Sequence, residues 1–327
     1  MANKLGRIVI YGAGAIGGVI GGHLAMAGSN VILIGRPDHM NAVRENGLKL
    51  IKPDGPHILK VAAVTSPGEA GFTAGDVILL TMKGQNTEAA MHDLHSVTKD
   101  IPIFCAQNGV RNEEIASAVF PRVYGARVNI GAVYMNSGEV VCRRDPPGWL
   151  IMGIYPKGTD DLVEAVGSEL RKAGFCVLVT PDVMPYKWGK LMSNLGNATG
   201  AITNDNSREA RRITEAAQSE AKQLLRQAGI RWLSEPEITK EWPDFGAKPR
   251  AAMDTEEQSS TWQSLGRQQG SVETEFLNGE IVRLARRLGK SAPINEGITR
   301  ICTEMAANRE KPGKYNSAQL RRMVGLD

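Results

Sequence analysis

Cysteine is scarce in this chain: four in 327 residues, at Cys105, Cys142, Cys176 and Cys302, far apart and with no C-x-x-C pair. That spacing excludes a disulfide framework and a cysteine-rich zinc module, and predicts reduced, mostly buried thiols. Aromatic residues make up only 5 % of the chain and the net charge is only +4. No basic block with interleaved aromatics occurs, so nucleic acid is not an expected partner, although local positive charge would suit anionic ligands. Histidine is equally thin, five in all. His92 and His95 stand i, i+3 with no third ligand in view, so no metal site is expected. A G-x-S-x-G elbow is missing, which argues against a Ser-His-Asp hydrolase. Long apolar runs are missing too, with one exception: Ile8 to Ala27 could span a bilayer by length. That run is dense in glycine and contains His23, and Met1-Ala2-Asn3-Lys4 is too short for a signal-peptide n-region. The expectation is a soluble, cytoplasmic protein with no membrane partner.

The exceptional run carries the strongest signal. Ile8-Val9-Ile10-Tyr11-Gly12-Ala13-Gly14-Ala15-Ile16-Gly17 reads as a buried strand turning into a helix through G-x-G-x-x-G. A helix pattern continues through Ala27, and the apolar strand Val31-Ile32-Leu33-Ile34 closes a βαβ unit. In a dinucleotide-binding unit Gly12 allows the tight turn, Gly14 lets the backbone approach a pyrophosphate, and Gly17 lets the helix pack on the strand. Ala13, Ala15 and Ile16 complete the loop. The pyrophosphate would rest on unpaired N–H groups at the positive end of the helix.

Arg36 points to the choice of dinucleotide. NAD-binding units place Asp or Glu at the end of the second strand to hold the ribose 2′-OH; here the strand ends in Gly35-Arg36. A carboxylate would repel a 2′-phosphate, whereas a guanidinium binds one through two charge-assisted bonds. NADPH is the expected cofactor. The alternative is a solvated Arg36 with Asp38 on the ribose.

At this length two domains are expected, each with its own core. The first half alternates strands and helices, as a parallel sheet requires. A short helix is expected over Pro37 to Asn46. Leu48 to Ile51 and Ile58 to Val64 flank a Pro-Asp-Gly turn and read as a hairpin. Further strands are expected at Asp76 to Thr81, Ile101 to Ala106, Val123 to Val141 and Trp149 to Tyr155, with helices at Arg111 to Phe120 and Asp160 to Ala173. From about Pro181 strand patterns stop, and helices are expected at 182–199, 207–228, 252–269, 272–289 and 294–308. Ser234 to Arg250 holds Pro236, Pro243 and Pro249 and reads as a loop or broken helix over a cleft. The polar tail after Lys311 is expected to be mobile. The fold class is therefore α/β: an N-terminal Rossmann-type dinucleotide-binding domain over 1–180, then an all-helical C-terminal domain over 181–327.

Ligands of open α/β sheets bind beyond the carboxyl ends of the strands. Two strand ends carry suitable polar residues, Thr81-Met82-Lys83-Gly84 and Gln107-Asn108-Gly109. Lys83 could reach the cofactor's phosphates or adenine edge, and Asn108 the nicotinamide ribose; each could equally be a turn. In the helical half, Lys190 and Asn194 stand i, i+4 on one helix face, with Asn197 three residues on, a stripe that would suit a polar cleft wall. Glu273 shares helical spacing with Phe276, Leu277 and Glu280, which puts it near a packed face where a carboxylate needs a partner. Lys190 is the obvious candidate.

Taken in order, these segments resemble the ketopantoate reductase family (2-dehydropantoate 2-reductases). The matching pieces are Gly12 to Gly17, Arg36, Thr81-Met82-Lys83, Gln107-Asn108-Gly109, Lys190 to Asn194, the Ser259-Ser260 helix, Gly270-Ser271-Val272-Glu273 with Leu277-Asn278-Gly279, and Pro293-Ile294-Asn295. The resemblance implies an NADPH-dependent reduction of a 2-oxo acid to a 2-hydroxy acid, ketopantoate to pantoate being the namesake reaction. It implies that Lys190 is the proton donor, that Asn194 binds substrate, and that Glu273 contacts substrate and cofactor. Asn108 would stand at the cofactor–substrate junction, and Arg36 and Lys83 on the cofactor's phosphate side. Ser260 would bind the substrate carboxylate, with Thr261 as the alternative. The family's second asparagine falls on Ala198, and Asn197 would serve only after a register shift. A small-molecule 2-oxo acid is thus the expected partner, and a homodimer stays open as the assembly. Two rival readings are a sister NADP(H)-dependent 2-oxo acid reductase or 2-hydroxy acid dehydrogenase, and a non-catalytic NADP(H) sensor.

Overall fold

The computed structural model describes residues 5–253 and 258–326. The strands are β1 (Ile8–Tyr11), β2 (Val31–Ile34), β3 (Leu48–Lys52), β4 (Gly55–Leu59), β5 (Ala62–Val64), β6 (Val77–Leu80), β7 (Ile103–Cys105), β8 (Val123–Ile130), β9 (Ala132–Tyr134), β10 (Glu139–Cys142), β11 (Arg144–Asp145), β12 (Gly148–Ile154), β13 (Cys176–Val179) and β14 (Ala251–Ala252). The helices are α1 (Ala15–Met26), α2 (Pro37–Asn46), α3 (Thr87–Val97), α4 (Asn112–Ser117), α5 (Asp161–Lys172), α6 (Met184–Asn194), α7 (Gly196–Thr203), α8 (Arg208–Gln227), α9 (Glu235–Glu241), α10 (Ser260–Gly266), α11 (Asn278–Arg287), α12 (Pro293–Ala307) and α13 (Ser317–Met323).

The chain divides into two compact units. One takes the described residues of Met1–Gln107, Asn112–Lys187 and Ser234–Asp254, the other those of Asn108–Arg111, Trp188–Leu233 and Thr255–Asp327. The main division thus falls after Lys187 rather than at 180. The reason is chemical: the Lys187 ammonium is buried in the first unit, on the carbonyls of Cys105 and Gln107.

The first unit is built on an eight-stranded sheet in the order β13-β12-β8-β7-β6-β1-β2-β5. From β8 to β5 neighbouring strands run parallel; β12 is antiparallel to β8, and β13 runs with β12. Its central strands are apolar at every position because both faces are covered. Ile8, Ile10, Val31, Leu33, Val77 and Leu79 feed one core, and Val9, Ile32, Ile34, Ile78 and Leu80 the other.

Helix α1 is buried on two sides, which accounts for the long apolar run. A methyl at Gly21 would meet Leu33 Cδ2 at 2.5 Å, on the main sheet, while one at Gly18 would meet Val140 Cγ1 at 2.6 Å. Val140 belongs to a second, four-stranded sheet ordered β4-β3-β10-β9. Among the described residues no helix is long and apolar enough to cross a membrane.

Several elements differ from the sequence expectation. The run Ile58 to Val64 is not one hairpin arm. β4 ends at Leu59 after pairing with β3, and Ala62–Val64 crosses to the main sheet, beside β2. Cys176–Val179 is an edge strand that the pattern did not flag. The helix expected over 182–199 breaks at Leu195, and that over 272–289 becomes a 3₁₀ turn, Thr274–Phe276, followed by α11. Of the helix expected over 252–269, Ala252 lies in a strand, 254–257 lie outside the described residues, and α10 covers Ser260–Gly266. The expected mobile tail forms α13. Asn316 caps it reciprocally with Gln319, and Leu320 and Val324 are buried in the helical core with Ile202, Ile213 and Ile301.

The proline-bearing segment also has an unexpected seat. It leaves the helical unit and packs on the far edge of the first unit's sheet. Trp149 Nε1 donates to the Asp244 carbonyl at 2.7 Å, Tyr186 Oη donates to Glu241 at 3.1 Å, and the Arg127 guanidinium lies 4.5 Å over the Phe245 ring. Arg127 is 2 % exposed, and burial pulls its pKa down to about 10.

Candidate active site

In the first unit, three neighbouring strands end side by side. The end of β1 carries Gly12 to Gly17, that of β2 carries Arg36, and that of β6 carries Lys83. The glycines are required by close approach. Gly12 has φ +104°, and a methyl there would meet Met82 N at 2.4 Å; one at Gly17 would meet Thr81 Oγ1 at 2.4 Å and Gly12 O at 2.7 Å. The Thr81 hydroxyl donates to the Gly12 carbonyl at 3.0 Å, which ties the β6 end to the glycine turn. Gly14 differs. A methyl there would find only Gly12 O, at 3.9 Å, so the space above it is open.

Ala13 is buried and Ala15 and Ile16 are half-buried at the start of α1. This end of α1 has no acidic residue in its first turn and no side-chain cap. Its first amides therefore lack intrahelical partners and face outward as donors, an arrangement suited to an anion.

Arg36 is the exposed N-cap residue of α2, its guanidinium 5.8 Å from the centroid of the Tyr134 ring. His39, one turn on, packs edge-to-face on the same ring and accepts the Gly138 N–H at Nδ1. Burial holds its pKa below the usual histidine range. Lys83 is half-buried and leads a 3₁₀ turn, Gly84–Asn86.

The remaining candidates lie in the second unit, on segments that hydrogen bonds draw together. Lys190 is half-buried on α6; Asn194, which ends that helix, is 7 % exposed, and its Nδ2 is buried without a hydrogen-bond partner. Gly189 lets α6 pass the chain at Leu233, whose carbonyl a methyl would strike at 1.8 Å. Asn197 does not share a helix with Lys190: it is half-buried on α7, past the break, while Ala198 is 1 % exposed in the helical core.

Ser259 caps α10 by accepting the Trp262 N–H, and its hydroxyl lies 3.5 Å from the Asn197 carbonyl. Ser260 is exposed, whereas Thr261 is 1 % exposed with its hydroxyl unpartnered. Glu273 is 6 % exposed and precedes the 3₁₀ turn rather than sitting inside a helix. Asn108 is half-buried at the head of a segment clamped by Arg111, which donates to Glu280 at 2.7 Å and to the Glu275 carbonyl at 3.3 Å. The Asn108 and Glu273 segments are thereby fastened to one another.

A buried amide network fixes the helix breaks. Asn278 Nδ2 donates to the Leu195 carbonyl at 3.2 Å and to Asn295 Oδ1 at 3.0 Å. Asn295 Nδ2 in turn donates to Glu220 at 2.6 Å, and Glu220 also accepts the amides of Ile294 and Asn295. The Asn-Gly and Pro-Ile-Asn pieces thus have a structural task, holding the end of α6 against α11 and α12. His92 and His95 are exposed on α3, and among the described residues no group of three metal-ligating side chains occurs.

Sequence reasoning passed over one pair. Lys187 (2 % exposed) and Glu113 (0 %) form a buried ion pair at the carboxyl end of β7. Desolvation pushes the Glu113 carboxyl up from its ordinary range. The only trace in the sequence is a second lysine one helical turn before Lys190.

A Rossmann-type sheet whose first helix starts without a side-chain cap, followed in the chain by a unit of helices, is an architecture of dinucleotide-binding proteins. Comparison with known proteins gives the family. The N-terminal part of ketopantoate reductase PanE/ApbA matches residues 8–157 and its C-terminal part residues 182–306. The chain is 31 % identical over 298 residues to a 2-dehydropantoate 2-reductase of Pyrococcus horikoshii, covering 88 % of this chain and 94 % of that one. It is 28 % identical to the 2-dehydropantoate 2-reductase of Archaeoglobus fulgidus, covering 90 % and 96 %. A PanE/ApbA family ketopantoate reductase from Ralstonia eutropha superimposes with a TM-score of 0.77 at 25 % identity, covering 93 % of this chain and 99 % of that one. A D-mandelate dehydrogenase solved with NADH and anilino(oxo)acetate shares the fold, with a TM-score of 0.80 at 20 % identity and coverage of 93 % and 99 %. The chain belongs to the ketopantoate reductase PanE/ApbA family and is an oxidoreductase.

Proposed function

We propose that this chain reduces a 2-oxo acid to a 2-hydroxy acid with NADPH, ketopantoate being the first candidate substrate and pantoate its product. The observation that carries the reading is the buried carboxylate of Glu273 on a turn fastened to the Asn108 segment, in the unit that also holds Lys190. A nearly buried carboxylate is costly without a cation, and a lysine kept charged by a carboxylate is suited to donate a proton.

The residues of the first unit fit the cofactor. Gly12 to Gly17 leave room above Gly14 and donors at the start of α1, and Arg36 and Lys83 add positive charge where phosphates would lie. When bound, NADPH supplies a hydride to the ketone carbon. Negative charge then grows on the carbonyl oxygen. A protonated Lys190 stabilises that charge and delivers its proton to the oxygen. Glu273 orients the ammonium and holds the substrate hydroxyl. Asn108, Asn194, Asn197 and Ser260 fix the carboxylate and hydroxyls for transfer, with the buried, unpartnered Thr261 hydroxyl as the alternative to Ser260.

A sister specificity is favoured by one observation, the fold shared with a D-mandelate dehydrogenase. Loss of NADPH absorbance on adding ketopantoate, set beside pyruvate, other branched 2-oxo acids and an aryl 2-oxo acid, tests both. Turnover of the aryl acid alone would select the second reading, and no turnover of any would refute both.

A further inference from the structure

The geometry points to Lys187 as a positioning residue that locks the Gln107–Asn108 turn to helix α6, and so fixes where Asn108 and Lys190 leave their backbones. The inference rests on the roles proposed above for those two residues. Lys187 Nζ donates to the carbonyls of Cys105 at 3.1 Å and Gln107 at 3.2 Å, and to Glu113. All three of its ammonium hydrogens are thus committed, two of them to main chain at the end of β7. Asn108 follows the second carbonyl directly, and Lys190 lies one helical turn beyond Lys187.

The surroundings are shaped for this pair. Gly125 on β8 has no side chain where one would meet Val183 Cγ1 at 2.9 Å, Glu113 Oε1 at 3.5 Å and Lys187 Cδ at 3.5 Å. The Gln107 side chain is pinned separately, its amide donating to Thr87 Oγ1 at 2.8 Å, which donates on to Asn112. The turn is therefore held through both its backbone and its first side chain, while Asn108 is half-buried. A purely stabilising role would be met more cheaply by apolar residues, since a buried ion pair repays its desolvation only in part.

The test compares Glu113→Gln, which keeps the ammonium and its carbonyl contacts, with Lys187→Met/Glu113→Gln, which removes the ammonium without stranding a buried carboxylate. Amide exchange over 103–112 should quicken in the double variant alone. Its kcat for 2-oxo acid reduction should fall about 10- to 100-fold, the scale of a displaced reacting group, while Glu113→Gln stays within about threefold of the parent. Parent-like exchange and kcat in a folded double variant would overturn the assignment, as would an equal loss in both variants. If the double variant does not fold, Lys187→Arg serves, because a larger, planar guanidinium displaces the contacts that one compact ammonium makes with two carbonyls and Glu113. Faster exchange with lower kcat supports the assignment, and parent-like values overturn it. Exchange needs no substrate, so a protein that reduced no 2-oxo acid would refute the proposed function while leaving this result readable.

Discussion

Two glycines of one motif should fail in different ways when each gains a methyl group. At Gly17 the new carbon would sit 2.4 Å from Thr81 Oγ1, 2.7 Å from Gly12 O and 2.8 Å from Ile10 Cγ2. Ile10 belongs to β1, Thr81 directly follows β6 and Gly12 lies in the turn, so α1 must move. Overpacking of this kind costs about 1–3 kcal/mol, and at about 2–4 °C per kcal/mol the melting temperature should fall by several degrees. At Gly14 the nearest atom would be 3.9 Å away, so no neighbour need move. The packing cost in stability should therefore be smaller than at Gly17. The methyl would, however, stand over the first amides of α1. Losing one charge-assisted hydrogen bond costs about 1.5–3 kcal/mol, about 10- to 150-fold in affinity. Thermal unfolding without nucleotide, followed by NADPH titration of each variant, separates the two effects. Gly14→Ala protein that melts like the parent and binds NADPH equally well would refute the placement of the phosphates on this turn.

Four further outcomes are expected. Lys190→Ala should lose kcat by about two orders of magnitude or more, the scale of a general acid, with NADPH affinity kept; near-normal turnover would remove Lys190 as proton donor. Arg36→Ala should abolish the preference for NADPH over NADH in KM while leaving kcat with NADH unchanged, and a preference that survives would free Arg36 of the 2′-phosphate. Asn278→Ala should destabilise by about 1–3 kcal/mol per stranded group, because the Leu195 carbonyl and Asn295 Oδ1 lose their donor; an unchanged urea midpoint would refute the network. His23 lies buried in α1 with Nδ1 on the Val19 carbonyl, and burial lowers its pKa to about 4. Below about pH 6.5 the unfolded chain takes up a proton that the folded one refuses, so stability present at neutral pH is lost as pH falls from about 6.5 towards 4. At about 1.4 kcal/mol per pKa unit the loss is on the order of 3 kcal/mol. His23→Leu should flatten that limb of the urea midpoint against pH, and an unchanged slope would acquit His23.

The legible parts of the sequence were those whose determinants are local. The β1–α1 turn was readable because Gly12 and Gly17 each answer to an atom a few residues or one strand away. Helix α2 was readable because Pro37 opens it and Gly47 closes it. Ile58 to Val64 misled because the run is apolar but for Lys60 and carries no turn residue, and only distant pairing with Ile32 to Ile34 sends its end to another sheet. The breaks at Leu195 and Leu277 carry no proline. At Leu195 the break is held by Asn278, more than eighty residues away. The Asn316 and Gln319 cap of α13 was there to be read, a polar tail with a start signal. In the candidate site the residue types were visible, but the separation of Asn197 from Lys190 and the burial of Lys187 depend on packing that no spacing rule encodes.

The seat of the segment around Trp242 and Phe245 has a practical consequence for anyone recombining this enzyme with its relatives. Grafting a foreign helical half onto residues 1–180 would carry that segment away with the half it does not belong to, baring Trp149 and a nearly buried guanidinium at Arg127. The two lobes are stitched by repeated crossings of a single thread, and a workable chimera must exchange several stretches at once.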